Sequence, residues 1–168
     1  LILSPSNCSI SFFSCLYIWK GYRGQKREKN SGKNKVRTVE LVPIAGNSYY
    51  IHDSTCIGVY IFPDRSCVLF DSAANPVSAR KILNLLDKEK LTVYGIINTH
   101  CHGDHCSGNR LIQDKTGCRI YATPEDAVLI ETPLLQPYIL FSAAPPRILK
   151  NPYIMPQPSQ ITDRIRGA

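Results

Sequence analysis

Residues 99–105 read Thr-His-Cys-His-Gly-Asp-His and contain three of the four histidines in the chain. The stretch follows residues 91–98, a run that is nearly all apolar at its centre and predicts a buried β-strand. Polar side chains delivered by a buried strand are costly unless something compensates them. A bound metal ion would do so, and we therefore favour a metal site over a solvated polar loop.

The spacing within this stretch suits two neighbouring metal ions. His100 and His102 are two residues apart on extended backbone, so both imidazoles can point to one side and share one metal. Asp104 and His105 follow Gly103, where the chain can turn sharply, and can face a second position. Imidazole nitrogen and carboxylate oxygen are suitable zinc ligands. Two adjacent ions can hold a bridging hydroxide and polarise a substrate oxygen.

Strands and helices alternate on both sides of this stretch. Asn75 is predicted to cap a helix that has Pro76 at its first position, and Thr123 opens another with a capping-box pattern. The proline-rich part after Pro133 predicts a loop. The order of elements favours an α/β layered domain. The predicted strands are residues 39–44, 49–51, 56–62, 66–70, 91–98 and 118–122, and the predicted helices begin at residues 76, 110 and 124.

Together with Gly108 and Asn109 just after it, the stretch resembles the signature of the metallo-β-lactamase superfamily. The strand that ends Ile-Ile-Asn-Thr at residues 96–99 matches the pattern of that family. Asp71, which follows the predicted strand at residues 66–70, matches it too. The resemblance covers residues 39–130. It implies an αββα sandwich built from two similar halves.

The resemblance also implies roles for individual residues. His100 and His102 would bind the first metal, and Asp104 and His105 the second, with Asp104 as the catalytic residue of the set. Asp71 would be a carboxylate that orients the ligands, although a turn residue at a strand end is the alternative. The implied cofactor is zinc, two ions per complete site, with iron or manganese as alternatives.

The sequence departs from the family in its later part. Members of the family need a third histidine for the first metal, a bridging aspartate and a last histidine. This chain has no histidine after His105, and its later aspartates, Asp114, Asp126 and Asp163, are not beside a histidine. We therefore expect residues 39–168 to be roughly the first half of the sandwich, with the remaining ligands beyond residue 168. Such a half would expose the sheet face that normally packs on its partner.

These features favour a zinc-dependent hydrolase, active in the full-length parent, that cleaves an ester, thioester, amide or phosphoester by a metal-bound hydroxide. The alternative is a truncated, non-catalytic metal-binding fragment. The Gly-Asn pair resembles the thioester hydrolases and lactamases, whereas His-Gly-Asp-His also occurs in RNA-processing nucleases. The chain after residue 40 has a nearly neutral net charge, which disfavours a nucleic-acid substrate and favours a small molecule. His102 argues against the di-iron redox relatives, in which an acidic residue typically occupies this position.

The first part of the chain has a different composition from the rest. The net charge is +7, but residues 1–40 hold eight of the 20 Lys and Arg residues and only two acids. We predict a disordered basic leader over residues 1–38. Residues 1–19 carry no charge, so an apolar membrane anchor there is an alternative. Membrane contact and oligomeric state remain open.

The residues outside the motif are weaker candidates for chemistry. The seven cysteines are an odd number without a Cys-x-x-Cys pair, which favours free thiols in a reducing cytoplasm. Cys101 and Cys106 flank the ligands, and we favour packing over metal contact for both. His52 lies outside the motif and is predicted to be a surface or turn residue.

Overall fold

The structure, a computed structural model, describes residues 39–141, 147, 151 and 154–166. The predicted leader at residues 1–38, with its alternative as an anchor, lies outside the described residues. Among the helices in the described ranges, none combines the length and the apolar character needed to cross a bilayer.

The described part of the chain folds around one seven-stranded sheet, whose strands lie side by side in chain order. The first four strands pair antiparallel, and the last four pair parallel. Parallel strands must be joined by long crossover connections, and the helices in these connections pack on the sheet. The strands are β1 (Leu41–Ala45), β2 (Ser48–His52), β3 (Cys56–Ile61), β4 (Ser66–Phe70), β5 (Thr92–Ile97), β6 (Arg119–Ala122) and β7 (Asp163–Arg164).

The helices begin where the sequence carries capping residues. The Asn75 side chain accepts a hydrogen bond from the backbone N–H of Ser78 at 2.9 Å, and Thr123 accepts from that of Asp126 at 3.1 Å. Both predicted caps are thus confirmed. The helices are α1 (Pro76–Lys88), α2 (Gly103–Cys106), α3 (Asn109–Thr116), α4 (Pro124–Glu131) and α5 (Leu135–Phe141).

The segment after Pro133 corrects one prediction, because it contains α5 where we predicted a loop. Pro137 is tolerated there because it lies in the first turn, where a backbone N–H has no partner within the helix. The strand β7 was also not predicted. Its two residues are too few for an alternating pattern, and contacts from elsewhere hold it: Arg119 pairs with Asp163, and Arg164 with Glu131.

One face of the sheet carries the core. Helices α1, α3 and α4 pack on this face against β5 and β6. The inward side chains of successive strands meet there because residues two apart point to the same face. The fully buried side chains of this core include Ile57, Val59, Leu69, Ile96, Ile120, Ile82, Leu86, Ile112 and Ile130.

The opposite sheet face carries tyrosine and phenylalanine side chains, and we call Tyr60, Phe70, Tyr94 and Tyr121 the aromatic face. The first three are 38%, 41% and 52% exposed. A glycine lies beneath two of the rings, because a Cβ at Gly58 or Gly95 would approach Phe70 or Tyr121. We expect the first half of a two-sheet sandwich to expose a sheet face in this way.

Candidate metal centre

The candidate site lies at the carboxyl ends of two parallel strands. Asp71 directly follows β4, and Asn98 and Thr99 directly follow β5. Parallel strands end at the same sheet edge, so residues 28 positions apart along the chain come into contact. Asp71 has a left-handed backbone, with φ of 68°, and its side chain points into the fold with the residue only 4% exposed.

Three of the four predicted ligands form a compact donor cluster. Donor atoms of His100, Asp104 and His105 all lie within 4.8 Å of one another, and all three residues are half-buried. The fourth predicted ligand, His102, is exposed and adjoins the cluster through His100. The two ring centroids are 4.7 Å apart in an edge-to-face arrangement.

Asp71 and Thr99 hold the two histidines of this cluster by hydrogen bonds. One carboxylate oxygen of Asp71 accepts from the backbone N–H of Thr99 at 2.8 Å, and the other accepts from His105 Nδ1 at 2.8 Å. The Thr99 hydroxyl lies 2.8 Å from Asp71 Oδ2 and 3.0 Å from His100 Nδ1. A hydroxyl has one proton, so if it donates to Asp71, His100 Nδ1 donates to it in turn. Asp71 then orients both imidazoles and leaves Nε2 of each as the unprotonated nitrogen that can bind a metal.

The two oriented histidines have opposite pKa shifts. The hydrogen bond to Asp71 raises the pKa of His105 above its ordinary value, although burial acts against it. Burial, and then the neighbouring His105 and His102, lower the pKa of His100. Two imidazoles this close disfavour a second proton, and neutral imidazole is the form that binds a metal.

The loop that carries the ligands is closed at its base by two buried amides. Asn109 donates to Asn98 Oδ1 at 2.7 Å, and Asn98 donates back to Asn109 Oδ1 at 3.3 Å. Asn109 is fully buried. Next to it, Gly108 packs so closely on Ser72 that a Cβ would lie 1.9 Å from the Ser72 carbonyl oxygen. The ends of the loop are therefore held against β4 and α1.

The weaker candidates take up structural positions. Cys106 is 1% exposed, and its thiol donates to the Cys101 carbonyl at 3.1 Å. Burial raises the pKa of Cys101 to about 11 and that of Cys106 still further, so both are protonated thiols at neutral pH. His52 is exposed at the end of β2 and lies 3.5 Å from Cys56 Sγ.

Sequence reasoning missed several residues around the ligands. Thr55, in the turn between β2 and β3, donates to the carbonyl of Asp104 at 3.0 Å. Asp126 and Gln136 contact Cys101 from α4 and α5. Of the residues that support the ligands, only Thr99 is near them in sequence, because it begins the stretch at residues 99–105. Thr55, Asp126 and Gln136 come from distant parts of the chain, so spacing along the chain carries no signal for them.

A sequence model of the Metallo-beta-lactamase superfamily matches residues 43–167. The chain belongs to this superfamily. The superfamily is one of hydrolases, so the chain comes from an enzyme family. Hydroxyacylglutathione hydrolase of Methylococcus capsulatus is 34% identical over 55 residues, which are 33% of this chain and 22% of that protein.

Solved members of the superfamily share the fold. The Cronobacter sakazakii metallo-beta-lactamase with a HARLDQ motif has a TM-score of 0.60 and 18% identity, covering 76% of this chain and 48% of its own. FEZ-1 from Legionella gormanii has a TM-score of 0.59 and 20% identity, covering 74% and 45%. The chain therefore spans about half the length of these metallo-beta-lactamases.

The donor set fits the metals that the superfamily implies. Two imidazoles and a carboxylate are zinc ligands. The carboxylate of Asp71 behind His105 is the kind of partner that orients a ligating histidine. The two cysteines of the loop are not part of this donor cluster: both are buried, and the Cys106 thiol donates to the Cys101 carbonyl.

Proposed function

We propose that this chain provides the first ligands of a zinc centre in a hydrolase of the metallo-beta-lactamase superfamily. The observation that carries the proposal is the cluster of His100, Asp104 and His105, whose donor atoms lie within 4.8 Å of one another. His102, which adjoins His100, would be the fourth ligand. Iron or manganese remain alternatives to zinc, since the same donors accept them.

When bound, zinc supplies a Lewis acid that polarises a carbonyl or phosphoryl oxygen and activates water. The chain's own residues hold the donors in place for this. Asp71 accepts from His105 Nδ1 and, through Thr99, keeps His100 in the matching tautomer. Thr55 holds the backbone of Asp104. We assign Asp104 the catalytic role among these residues, since it is the carboxylate of the cluster.

The proposed reaction is hydrolysis of an ester, thioester, amide or phosphoester in a small molecule. The similarity to a hydroxyacylglutathione hydrolase supports a thioester, and the solved relatives support a β-lactam amide. Outside residues 1–40, the numbers of basic and acidic residues are nearly equal, which does not favour a nucleic acid as the substrate. The five described cysteines are free, which supports a reducing cytoplasm as the compartment.

A non-catalytic metal-binding chain is the second candidate. It is favoured by the ligand count, since the chain has no histidine after His105 and His102 stands outside the three-residue cluster. A centre with few ligands exchanges its metal readily and positions a substrate poorly. We therefore expect the 168-residue chain alone to bind zinc weakly and to show no appreciable hydrolysis.

Zinc titration of the purified chain tests the proposal, with His105→Ala as the variant and His52→Ala as its matched control. We expect His105→Ala to lose most of the zinc affinity and His52→Ala to retain it, because His52 is not in the donor cluster. Equal affinity in both variants would refute the site. Assays with ester, thioester, β-lactam and phosphodiester substrates then separate the two candidates. Turnover at ordinary enzymatic rates that His105→Ala abolishes would exclude the non-catalytic one.

A further inference from the structure

The two peptide groups on either side of Cys101, which lies between His100 and His102, are held by side chains from distant helices. Asp126 Oδ1 accepts from the backbone N–H of Cys101 at 2.9 Å. Gln136 Nε2 donates to the carbonyl of the same residue at 2.6 Å. The two partners are 25 and 35 residues away along the chain. Both backbone polar groups of Cys101 are thereby engaged.

Both contacts come from side chains that are themselves held in place. Gln136 is 3% exposed and lies at the start of α5. The other carboxylate oxygen of Asp126 accepts from the Thr123 hydroxyl at 2.7 Å, within the cap of α4. The Cys101 side chain is buried beneath the peptide, 9% exposed. Because neither peptide group can rotate without breaking its contact, their orientations determine where His100 and His102 point.

We propose that Asp126 and Gln136 are positioning residues for the metal centre, an inference that rests on the proposed function. Neither is a ligand. Asp126 holds the N–H of the peptide group between His100 and Cys101, and Gln136 holds the carbonyl of the peptide group between Cys101 and His102, so together they set the relative direction of the two imidazoles. Partners one step removed from a metal typically change its affinity about 10- to 100-fold when they are replaced.

The test compares Asp126→Ala and Gln136→Met with two control variants in the 168-residue chain. Asp126→Asn keeps an acceptor for the Cys101 N–H. Glu125→Ala removes the neighbouring, exposed carboxylate in the first turn of α4 and leaves that acceptor in place. Zinc affinity is measured by chelator competition, ligand geometry by the visible absorption of bound Co²⁺, and folding by thermal melts. We expect about 10-fold or more loss of zinc affinity and an altered Co²⁺ spectrum in Asp126→Ala and Gln136→Met. Asp126→Asn and Glu125→Ala should remain close to the unsubstituted chain.

Unchanged affinity and spectrum in both Asp126→Ala and Gln136→Met would overturn the proposal. An equal loss in Glu125→Ala would also overturn it, since that result assigns the effect to the first turn of α4 as a whole. If the unsubstituted chain binds no metal, the proposed function fails separately. Hydrogen exchange of the Cys101 amide then decides the inference. Faster exchange in Asp126→Ala than in Glu125→Ala supports it, and equal rates refute it.

Discussion

Asp71 is the residue on which the geometry of the candidate site depends most. It contacts His105 directly and His100 through Thr99, although it lies outside the motif. From the sequence, Asp71 has two interpretations, an orienting carboxylate and a turn residue at a strand end. The structure contains features of both, because the left-handed backbone at Asp71 turns the chain while the carboxylate faces the ligands.

Replacing the carboxylate of Asp71 by an amide should weaken zinc binding. Asp71→Asn keeps the shape of the side chain and tolerates the left-handed backbone, but it loses the charge that holds His105. We expect zinc affinity to fall about 10-fold or more. Asp114→Asn makes the same chemical change at an exposed pair with Arg110 and should have no effect. A wild-type affinity for Asp71→Asn in chelator competition would contradict the orienting role.

Because of the buried Cys67 thiol, the free energy of unfolding should fall as the pH becomes alkaline. Cys67 is fully buried in β4, and burial, with Cys118 nearby, raises the pKa of its thiol to about 11. Because the pKa of this thiol in the folded state lies above its ordinary value of 9.0, the neutral thiol stabilises the fold below about pH 9. That contribution is lost as the pH rises towards 11.

Urea unfolding under reducing conditions, at pH about 8 and about 10.5, measures this dependence. We expect the free energy of unfolding to fall between the two values, and to fall less in Cys67→Val, which removes the ionisable group and keeps an apolar side chain. Equal losses in the two proteins would show that Cys67 does not titrate in this range.

At the scale of elements, the loop between β5 and α3 is held at both ends and in the middle. The amides of Asn98 and Asn109 close its base, and Asp126 and Gln136 hold Cys101. The sequence predicted the strand and the helix that flank this loop. It did not predict the contacts, because they join residues that only the sheet edge and the later helices bring together.

Gly108 shows how closely this loop packs. A Cβ there would lie 1.9 Å from the Ser72 carbonyl oxygen and 2.9 Å from Ala79 Cβ, so backbone must move to accommodate it. We expect Gly108→Ala to lower the free energy of unfolding by about 3 kcal/mol. Gly117→Ala, at a left-handed position with open space around it, should cost only about 1 kcal/mol. Urea denaturation measures both, and similar costs for the two variants would contradict the close contact.

At the scale of the whole molecule, the described residues from 39 onward form one sheet with helices on its inner face and the aromatic face opposite. The sequence predicted the composition of this sheet well, because residues of β3 and β4 alternate or run apolar. It predicted neither β7 nor α5. Both lie in a proline-rich segment, where local propensity opposes regular structure. Contacts with α4 and β6 hold the chain at β7, and the hydrogen bond from Gln136 to the Cys101 carbonyl holds α5.

Residues 1–38 should be dispensable for the folding of the body, since the superfamily match covers only residues 43–167 and residues 20–38 are mostly charged or polar. We expect a chain that begins at residue 39 to keep the melting temperature and circular dichroism of the full 168 residues. Matched thermal melts of the two chains make the comparison. A large loss of structure on deletion would show that the leader stabilises the body and would overturn the predicted boundary.

The sequence by itself determined the superfamily, the α/β architecture and the identity of the candidate ligands. These depend on local order: three histidines and an aspartate in residues 99–105, and apolar periodicity on either side. The tertiary structure decided which donors converge and what holds them. The loop that carries the ligands is contacted from 25 to 49 residues away along the chain by Asp71, Thr55, Asp126 and Gln136. Contacts of that kind follow from the pairing of strands and the packing of helices, which no spacing along the chain encodes.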